Sequence, residues 1–585
     1  MDNPQLKKAP TVYDVVIVGS GAGGGMAAYM LAKAGAKVAL LEAGGYYDPA
    51  DPKYITQLKW PWESPRRGAA TAARSGGDFD AAWGGWDLDG EPYSTKSGTE
   101  FHWFRSRMLG GRTNHWGRIS LRFGPDDFRR GSITGVGDDW PIAYEDMKPY
   151  YDKTDKLIGV FGTNLPDFPN EPDGYFLPPP KPRLHELMLR KAAKSIGVPV
   201  VPSRLSILTK PINNERGQCF YCHQCGRGCQ AYADFSASSV LCIPAIKTGN
   251  VTLINGAMAR EVLTDPQTGL ATGVSYVDTR TLQEITVRAK AVMLGASTCE
   301  SARILLNSKS SRFPNGLANS SGVVGKYLHD STGASRSGFI PALMDRKRYN
   351  EDGVGGMHVF TPWWLDNKKL DFPRGYHIEY GGGMGMPGYG FGSGVESLNG
   401  LIPGRDGKVK TAGGYGKDLK DDYRRFYGAY VSMSGRGEPV PVETNYCEID
   451  PDKVDKYGIP TLRFHYKWSD YEVKQAKHMQ DTFEEIIHAM GGIALGSKPG
   501  PNDAHGYGLA APGRIIHEVG TVRMGNDPQK SALNKYQQAH DVKNLFVIDA
   551  APFVTQGDKN VTWTILAASM RTSEYLINQV KQKNI

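Results

Sequence analysis

Near the start of the chain, apolar and polar positions fall into a strand, turn, helix and strand. In YDVVIVGSGAGGGMAAYMLAKAGAKVALLEAGG, residues 15–18 form an unbroken apolar run bounded by glycine, which predicts a buried strand. A glycine turn follows, then a helix from about residue 23 to 34 and a second apolar strand over 38–41 that ends in the acid Glu42. The theme returns in KAVMLGASTCESARILLNS (290–308), where an apolar strand runs into Gly295 and Ala296 and then into an amphipathic helix bearing Ala302, Ile304, Leu305 and Leu306. It returns again near the end, as a strand over 545–548 closed by Asp549 and a helix in TWTILAASMRTSEYLINQV. Strand-then-helix pieces this far apart make sense if one sheet of an α/β fold is assembled from distant parts of the chain. The region 335–505 lacks this pattern and is rich in aromatics and glycine; its run GYHIEYGGGMGMPGYGFGSG reads either as a flexible loop or as a lid over a substrate.

Composition narrows the picture. At 585 residues, two large lobes with interleaved segments or three small domains are expected. The formal charge of +8 is spread without any basic block, so nothing argues for nucleic acid. No segment approaches the roughly 18–20 apolar residues of a membrane span, and the first residues lack the apolar core of an export signal. A soluble chain with no export signal of its own is expected.

The glycine turn carries chemistry. Its spacing is Gly19-x-Gly21-x-x-Gly24, with Glu42 at 23 positions beyond Gly19. Gly19 allows a tight turn, Gly21 lets backbone N–H groups approach a pyrophosphate, Gly24 allows close helix packing, and Glu42 accepts from a ribose hydroxyl. A bound dinucleotide is expected.

Four of the seven cysteines lie within eleven positions, in CFYCHQCGRGCQ. An odd, clustered set is no disulfide framework. The spacing Cys219-x2-Cys222-x2-Cys225-x3-Cys229 is the run that binds a four-iron cluster in bacterial ferredoxins, with Gln230 standing where those have proline. A structural zinc usually takes two C-x2-C pairs a dozen or more residues apart, and a redox dithiol leaves two cysteines unexplained. Cys242, Cys299 and Cys447 are isolated and are expected to be buried apolar residues.

The motifs VGSGAGGG with LLEAGG, GGRTNHWG (110–117), LGAS (294–297), GKYLHD (325–330), HEVGTVRMG (517–525) and NLFVIDAAPFV with NVTWTI (544–565) follow one another in the order seen in glucose-methanol-choline oxidoreductases. The chain resembles that family along most of its length. The resemblance implies FAD in a Rossmann-like domain built from 1–125, 230–334 and 505–585, and a substrate domain with a mainly antiparallel sheet over 335–504. Between them, 126–229 is a linking region with the cysteine loop at 219–229. The FAD contacts it implies fall on Gly110, Gly111, Thr113, Asn114, His115, Gly295, Ala296, Asp549, Ala550, Val561 and Thr562, besides the first glycine turn. In some family oxidases a His at the position of His115 is bonded to the flavin; in related dehydrogenases it is not.

Oxidising an alcohol needs a base beside the flavin, to take the hydroxyl proton as hydride leaves carbon. By resemblance His517 is that base and Asn560 holds the substrate oxygen. Bacterial FAD-dependent sugar dehydrogenases of this family carry an iron–sulfur cluster on three cysteines spaced C-x5-C-x3-C, which Cys219, Cys225 and Cys229 reproduce; Cys222 is additional, leaving three irons or four open. A one-electron relay favours a dehydrogenase with an external acceptor such as a cytochrome over an oxidase. The expected substrate is a sugar or glycoside, the 3-hydroxyl of glucosides first, with gluconate 2-dehydrogenase or aldose 1-dehydrogenase activity as alternatives. A non-catalytic flavin and iron–sulfur subunit is the reading from another class. The resemblance further implies a small partner subunit that carries an export signal and takes the chain to the periplasm; a cytoplasmic location is the alternative.

Overall fold

The three separated apolar runs meet in one sheet. The computed structural model describes residues 11–54, 84–347, 353–383, 398, 400–403, 406–409 and 416–585. Strand Tyr13–Val18 pairs in parallel with Glu284–Leu294 on one side and with Val38–Glu42 on the other. Val38–Glu42 in turn pairs with Val251–Asn255, and Leu545–Val547 adds to Glu284–Leu294, again in parallel. Layers cover both faces of such a sheet, which is why its strands are continuous in Val, Ile and Leu. Val16, Ile17, Leu40, Val292, Leu294 and Val547 are all fully buried. The first half of Glu284–Leu294 also pairs antiparallel with Ala271–Asp278, which pairs with Ala257–Thr264. Helices Ala22–Lys33 and Thr562–Lys581 lie against each other, and Ser569 Oγ donates to the Gly23 carbonyl at 2.7 Å. The two ends of the chain therefore close on one layer.

A second sheet is antiparallel throughout, in the order Ile493–Ala494, Thr332–Phe339, Tyr430–Gly437, Tyr376–Gly382, Val359–Thr361, Val201–Pro202. Helix Asp470–Ala489 covers one face of it. Ser469 starts that helix with a capping box, its hydroxyl accepting from Tyr471 N (3.3 Å) while Glu472 accepts from Ser469 N (2.7 Å). Ala476, Met479, Phe483, Ile486 and Ile487 form its fully buried stripe. Gly338 and Gly435 let the helix approach: a Cβ there would lie 2.8 Å from Ile487 Cγ2 and 2.5 Å from Met479 Sδ.

The α/β fold with a mainly antiparallel second sheet is thus as the sequence suggests. The glycine-rich run differs: Tyr376–Gly382 is an inner strand of the second sheet, neither loop nor lid. Register with Tyr430–Gly437 supplies the backbone partners that its glycines allow. The rest of that run, 384–394, lies outside the described residues. Among the described residues no helix is long and apolar enough to cross a membrane.

Candidate active site

A cleft of about 420 Å³ opens at the carboxyl ends of the parallel strands, where ligands bind in sheets of this kind. Val18, Leu41 and Glu42 line one end of it, and Glu379 and Arg436 of the second sheet line the other.

The glycine turn is built as its spacing suggests. Gly19 is left-handed (φ 87°), and a Cβ there would lie 2.4 Å from the Gly295 carbonyl oxygen. A Cβ on Gly24 would lie 1.8 Å from the Gly19 carbonyl oxygen, so only glycine lets helix and turn touch. A Cβ on Gly21 would meet nothing within 4 Å, because it would point into the cleft. Gly21 precedes the first turn of helix Ala22–Lys33, whose Ala22 and Gly23 line the cleft, and the free N–H groups at a helix start suit an anion. Glu42 is buried at the end of its strand, where it accepts from Ser20 Oγ (2.5 Å) and Gly44 N (2.8 Å). Burial pushes its carboxyl up.

Opposite, Gly295, Ala296, Asp549, Ala550, Val561 and Thr562 line the same cleft. Asp549 accepts from Ser297 N (3.1 Å), Ser301 Oγ (2.5 Å) and Ala551 N (2.8 Å), and burial pushes it up to about 6. In the short helix Gly111–Asn114, Gly111 and Thr113 face the cleft, as does His115, whose ring lies 5.4 Å from that of Phe104. Gly24, Gly110 and Asn114 stand behind the wall. Gly110 N donates to Ser20 Oγ (2.9 Å), and Asn114 Nδ2 donates to the carbonyls of Leu109 (2.8 Å) and Gly111 (3.0 Å).

His517 and Asn560, 43 positions apart, meet at the far end. Glu379 Oε1 takes an N–H from Asn560 Nδ2 at 3.2 Å, and a carboxylate only accepts, so the amide nitrogen faces it. The same nitrogen lies 3.4 Å from His517 Nε2 and can only donate there. The network therefore puts a lone pair on Nε2 and the ring proton on Nδ1, which faces Ser331 Oγ at 3.0 Å. Burial would raise the Glu379 carboxyl, but Arg436 (3.4 Å) and His377 (3.3 Å) outweigh it and hold it well below the usual carboxylate range. Burial pushes the His517 imidazole down to about 3, with the Arg436 charge adding to the effect.

The four clustered cysteines surround a second, much smaller gap of about 10 Å³, walled by Ile207, Phe220, His223, Ala233 and Asp234. Burial pushes the Cys219 thiol up to about 12 and raises those of Cys225 and Cys229. Among the described residues no three His, Cys, Asp or Glu side chains converge closely enough to hold a single metal ion. The segment 114–118 joins the two cavities: Trp116 lines the cleft, and Arg118 Nη2 donates to the carbonyls of Asn114 (3.0 Å) and Cys225 (3.0 Å). Arg118 also pairs with buried Asp234 at 2.9 Å. Cys242, Cys299 and Cys447 are buried.

The family profile of the GMC oxidoreductases matches residues 178–332 and 441–569, and that of an FAD-binding domain matches 14–48. The chain belongs to the GMC oxidoreductases. It is similar to 2-methyl-1,2-propanediol dehydrogenase of Mycolicibacterium austroafricanum, at 29% identity over 96% of this chain and 95% of that one. It is also similar to the fructose dehydrogenase large subunit of Gluconobacter japonicus, at 26% identity over 97% and 98%. Its fold resembles pyridoxine 4-oxidase from Mesorbium loti, with a TM-score of 0.60 at 17% identity over 96% of this chain and 99% of that one. As a GMC oxidoreductase the chain is an FAD-dependent enzyme acting on CH–OH donors.

Sequence reasoning missed Glu379, Arg436, Asp330 and Ser331. The first two meet only because Tyr376–Gly382 pairs with Tyr430–Gly437, with His377 opposite Arg436. Asp330 lies in the GKYLHD motif and Ser331 directly follows it, so the motif was a usable signal for both.

Proposed function

We propose that the chain is an FAD-dependent dehydrogenase that oxidises a secondary alcohol of a sugar or glycoside, first among them the 3-hydroxyl of a glucoside, to the keto sugar. The observation that carries this reading is the Nε2 lone pair of His517, held beside Asn560 in a cleft whose other end has the glycine turn of a dinucleotide site. Bound FAD supplies the acceptor for the hydride. Gly19, Gly21, Gly295 and Asp549 would hold its dinucleotide portion, and His517 takes the hydroxyl proton on Nε2. The contact between Nε2 and Asn560 Nδ2 is long, at 3.4 Å, so a substrate oxygen replaces it with two better bonds, donating to His517 and accepting from Asn560. A relative named for fructose oxidation supports a sugar as substrate.

The neutral imidazole is the form that acts as base. With the ring pushed down to about 3, kcat/KM should show no acid limb from His517 until the pH approaches that value; a limb near the ordinary imidazole value of 6.5 contradicts the assignment. The reaction itself is tested by turnover of methyl glucoside with a one-electron dye, followed by NMR of the product. A 3-keto glucoside is expected. Oxidation at carbon 1 or 2 of a panel sugar moves the reading to aldose or gluconate oxidation, and turnover with dioxygen as fast as with dye overturns the dehydrogenase.

Cys219, Cys225 and Cys229 would hold an iron–sulfur cluster, with Cys222 a fourth ligand or a bystander. That all four face one small cavity supports this, since a multi-iron cluster spreads its thiolates wider than a single ion does. Such a cluster passes electrons one at a time, which suits a cytochrome acceptor. Anaerobic reconstitution with iron and sulfide is expected to load the wild type but not C229S, while C222S keeps a three-iron signal; a wild type that takes up no iron ends this part of the reading. A small partner subunit that carries the export signal and leads the chain to the periplasm completes it, supported by a relative named as a large subunit.

A further inference from the structure

His517 sits in a turn that the chain has no local reason to adopt. Its neighbour Ile516 is left-handed, with φ at 64°. That region is strongly disfavoured for a β-branched residue and persists only where the surroundings impose it. Here they do. Asp330 is fully buried, and its carboxylate accepts from Ile515 N (3.2 Å) and His517 N (2.7 Å), the amides on either side of the strained residue. It also accepts from Ser331 N at 2.9 Å. His329 and Val519 exchange backbone bonds in both directions, at 3.1 and 2.8 Å, which keeps the segment in register with the loop.

The next residue engages the ring. Ser331 Oγ lies 3.0 Å from His517 Nδ1, and Gln556 Nε2 donates to the same oxygen. Both Ser331 and Gln556 are buried. Two consecutive residues therefore grip His517 at its main chain and at its ring.

We propose that Asp330 and Ser331 are the positioning residues of His517: Asp330 locks the strained Ile516 turn, and Ser331 holds the Nδ1–H tautomer that leaves the Nε2 lone pair facing the cleft. An asparagine at 330 keeps one acceptor oxygen for two of the three amides and turns an N–H toward the third, Ile515 N, which is left unpaired. An alanine at 331 removes the side-chain acceptor that faces Nδ1 among the described residues and leaves the long Asn560 contact alone to favour the lone pair on Nε2, so the Nε2-protonated tautomer gains population. A threonine keeps the hydroxyl.

The inference rests on His517 as the base, and its test does not depend on substrate. The FAD-loaded full chain is labelled with 15N-histidine, and H517Q identifies the His517 signals among the 13 histidines. Over about pH 6–8, where ordinary histidines titrate, the wild type is expected to show a protonated Nδ1 and a bare Nε2. S331A should show a tautomer mixture, S331T the wild-type pattern, and D330N split signals that return to one set when combined with I516G. With methyl glucoside as probe, S331A and D330N should slow flavin reduction on the order of 10²-fold at unchanged FAD content and nearly unchanged KM. A wild type protonated on Nε2, or an S331A spectrum identical to wild type, overturns the proposal. If no sugar reduces the flavin, the dehydrogenase reading fails while the NMR result still decides the positioning.

Discussion

Replacing His517 with alanine is expected to slow the reduction of bound FAD by sugar about 10²–10⁴-fold, with FAD content unchanged. The two effects separate because the groups are separate. His517 touches Asn560 and Ser331 by its ring and Asp330 by its backbone, all at the far end of the cleft. The glycine turn, Glu42 and Asp549 form the other end and lose no partner when the ring goes. An alanine leaves the hydroxyl proton without an acceptor, since Asn560 Nδ2 can only donate and Glu379 is already engaged by Arg436, His377 and Asn560. Rapid-mixing measurement of the flavin band decides the matter: near-normal reduction in H517A would remove His517 from the chemistry.

Gly24→Ala should do more damage to the protein than Gly21→Ala, although both glycines belong to one turn. At Gly24 the new methyl would lie 1.8 Å from the Gly19 carbonyl oxygen, and Gly19 cannot retreat because Gly295 closes on its other side. Backbone against backbone has no rotamer to yield, so the cost should exceed the roughly 1–3 kcal/mol of ordinary overpacking. G24A is expected to lose FAD and melt earlier, or to fail to fold. At Gly21 the methyl has free space, but that space is the cleft. G21A should therefore fold with an unchanged melting temperature in the FAD-free state and bind FAD more weakly, because the methyl stands where backbone N–H groups approach the pyrophosphate. Melting curves with FAD titration check both; the opposite ranking would mean that the turn is not the dinucleotide cradle.

Much of this arrangement was legible before folding. Parallel strands buried on both faces appear in sequence as apolar runs, and the glycine spacing reports backbone contacts that side chains would block, so four strands of the first sheet and its glycine turn could be read directly, whereas Val251–Asn255 and the antiparallel extension could not. The far end was half legible. His517 and Asn560 sit in motifs, but the groups that orient them come from strands whose pairing no local pattern reveals, as with Glu379 and Arg436. Strand Tyr376–Gly382 was hidden because its glycines read as loop, when they serve close pairing with Tyr430–Gly437. Two-residue strands such as Val201–Pro202 are too short for any periodicity to show. The turn at Ile516 was illegible for another reason: a β-branched residue argues against the left-handed conformation that Asp330 imposes on it.

The most direct measurement is the absorbance of the purified, FAD-loaded chain after anaerobic addition of methyl glucoside, with no other protein present. Bleaching of the flavin band is expected, because the proposed base His517, its neighbour Asn560 and the glycine turn all line one cleft of this chain. An unchanged band with methyl glucoside, glucose, gluconate and lactose alike would contradict it, and would leave the chain as a relay for electrons taken from substrate elsewhere.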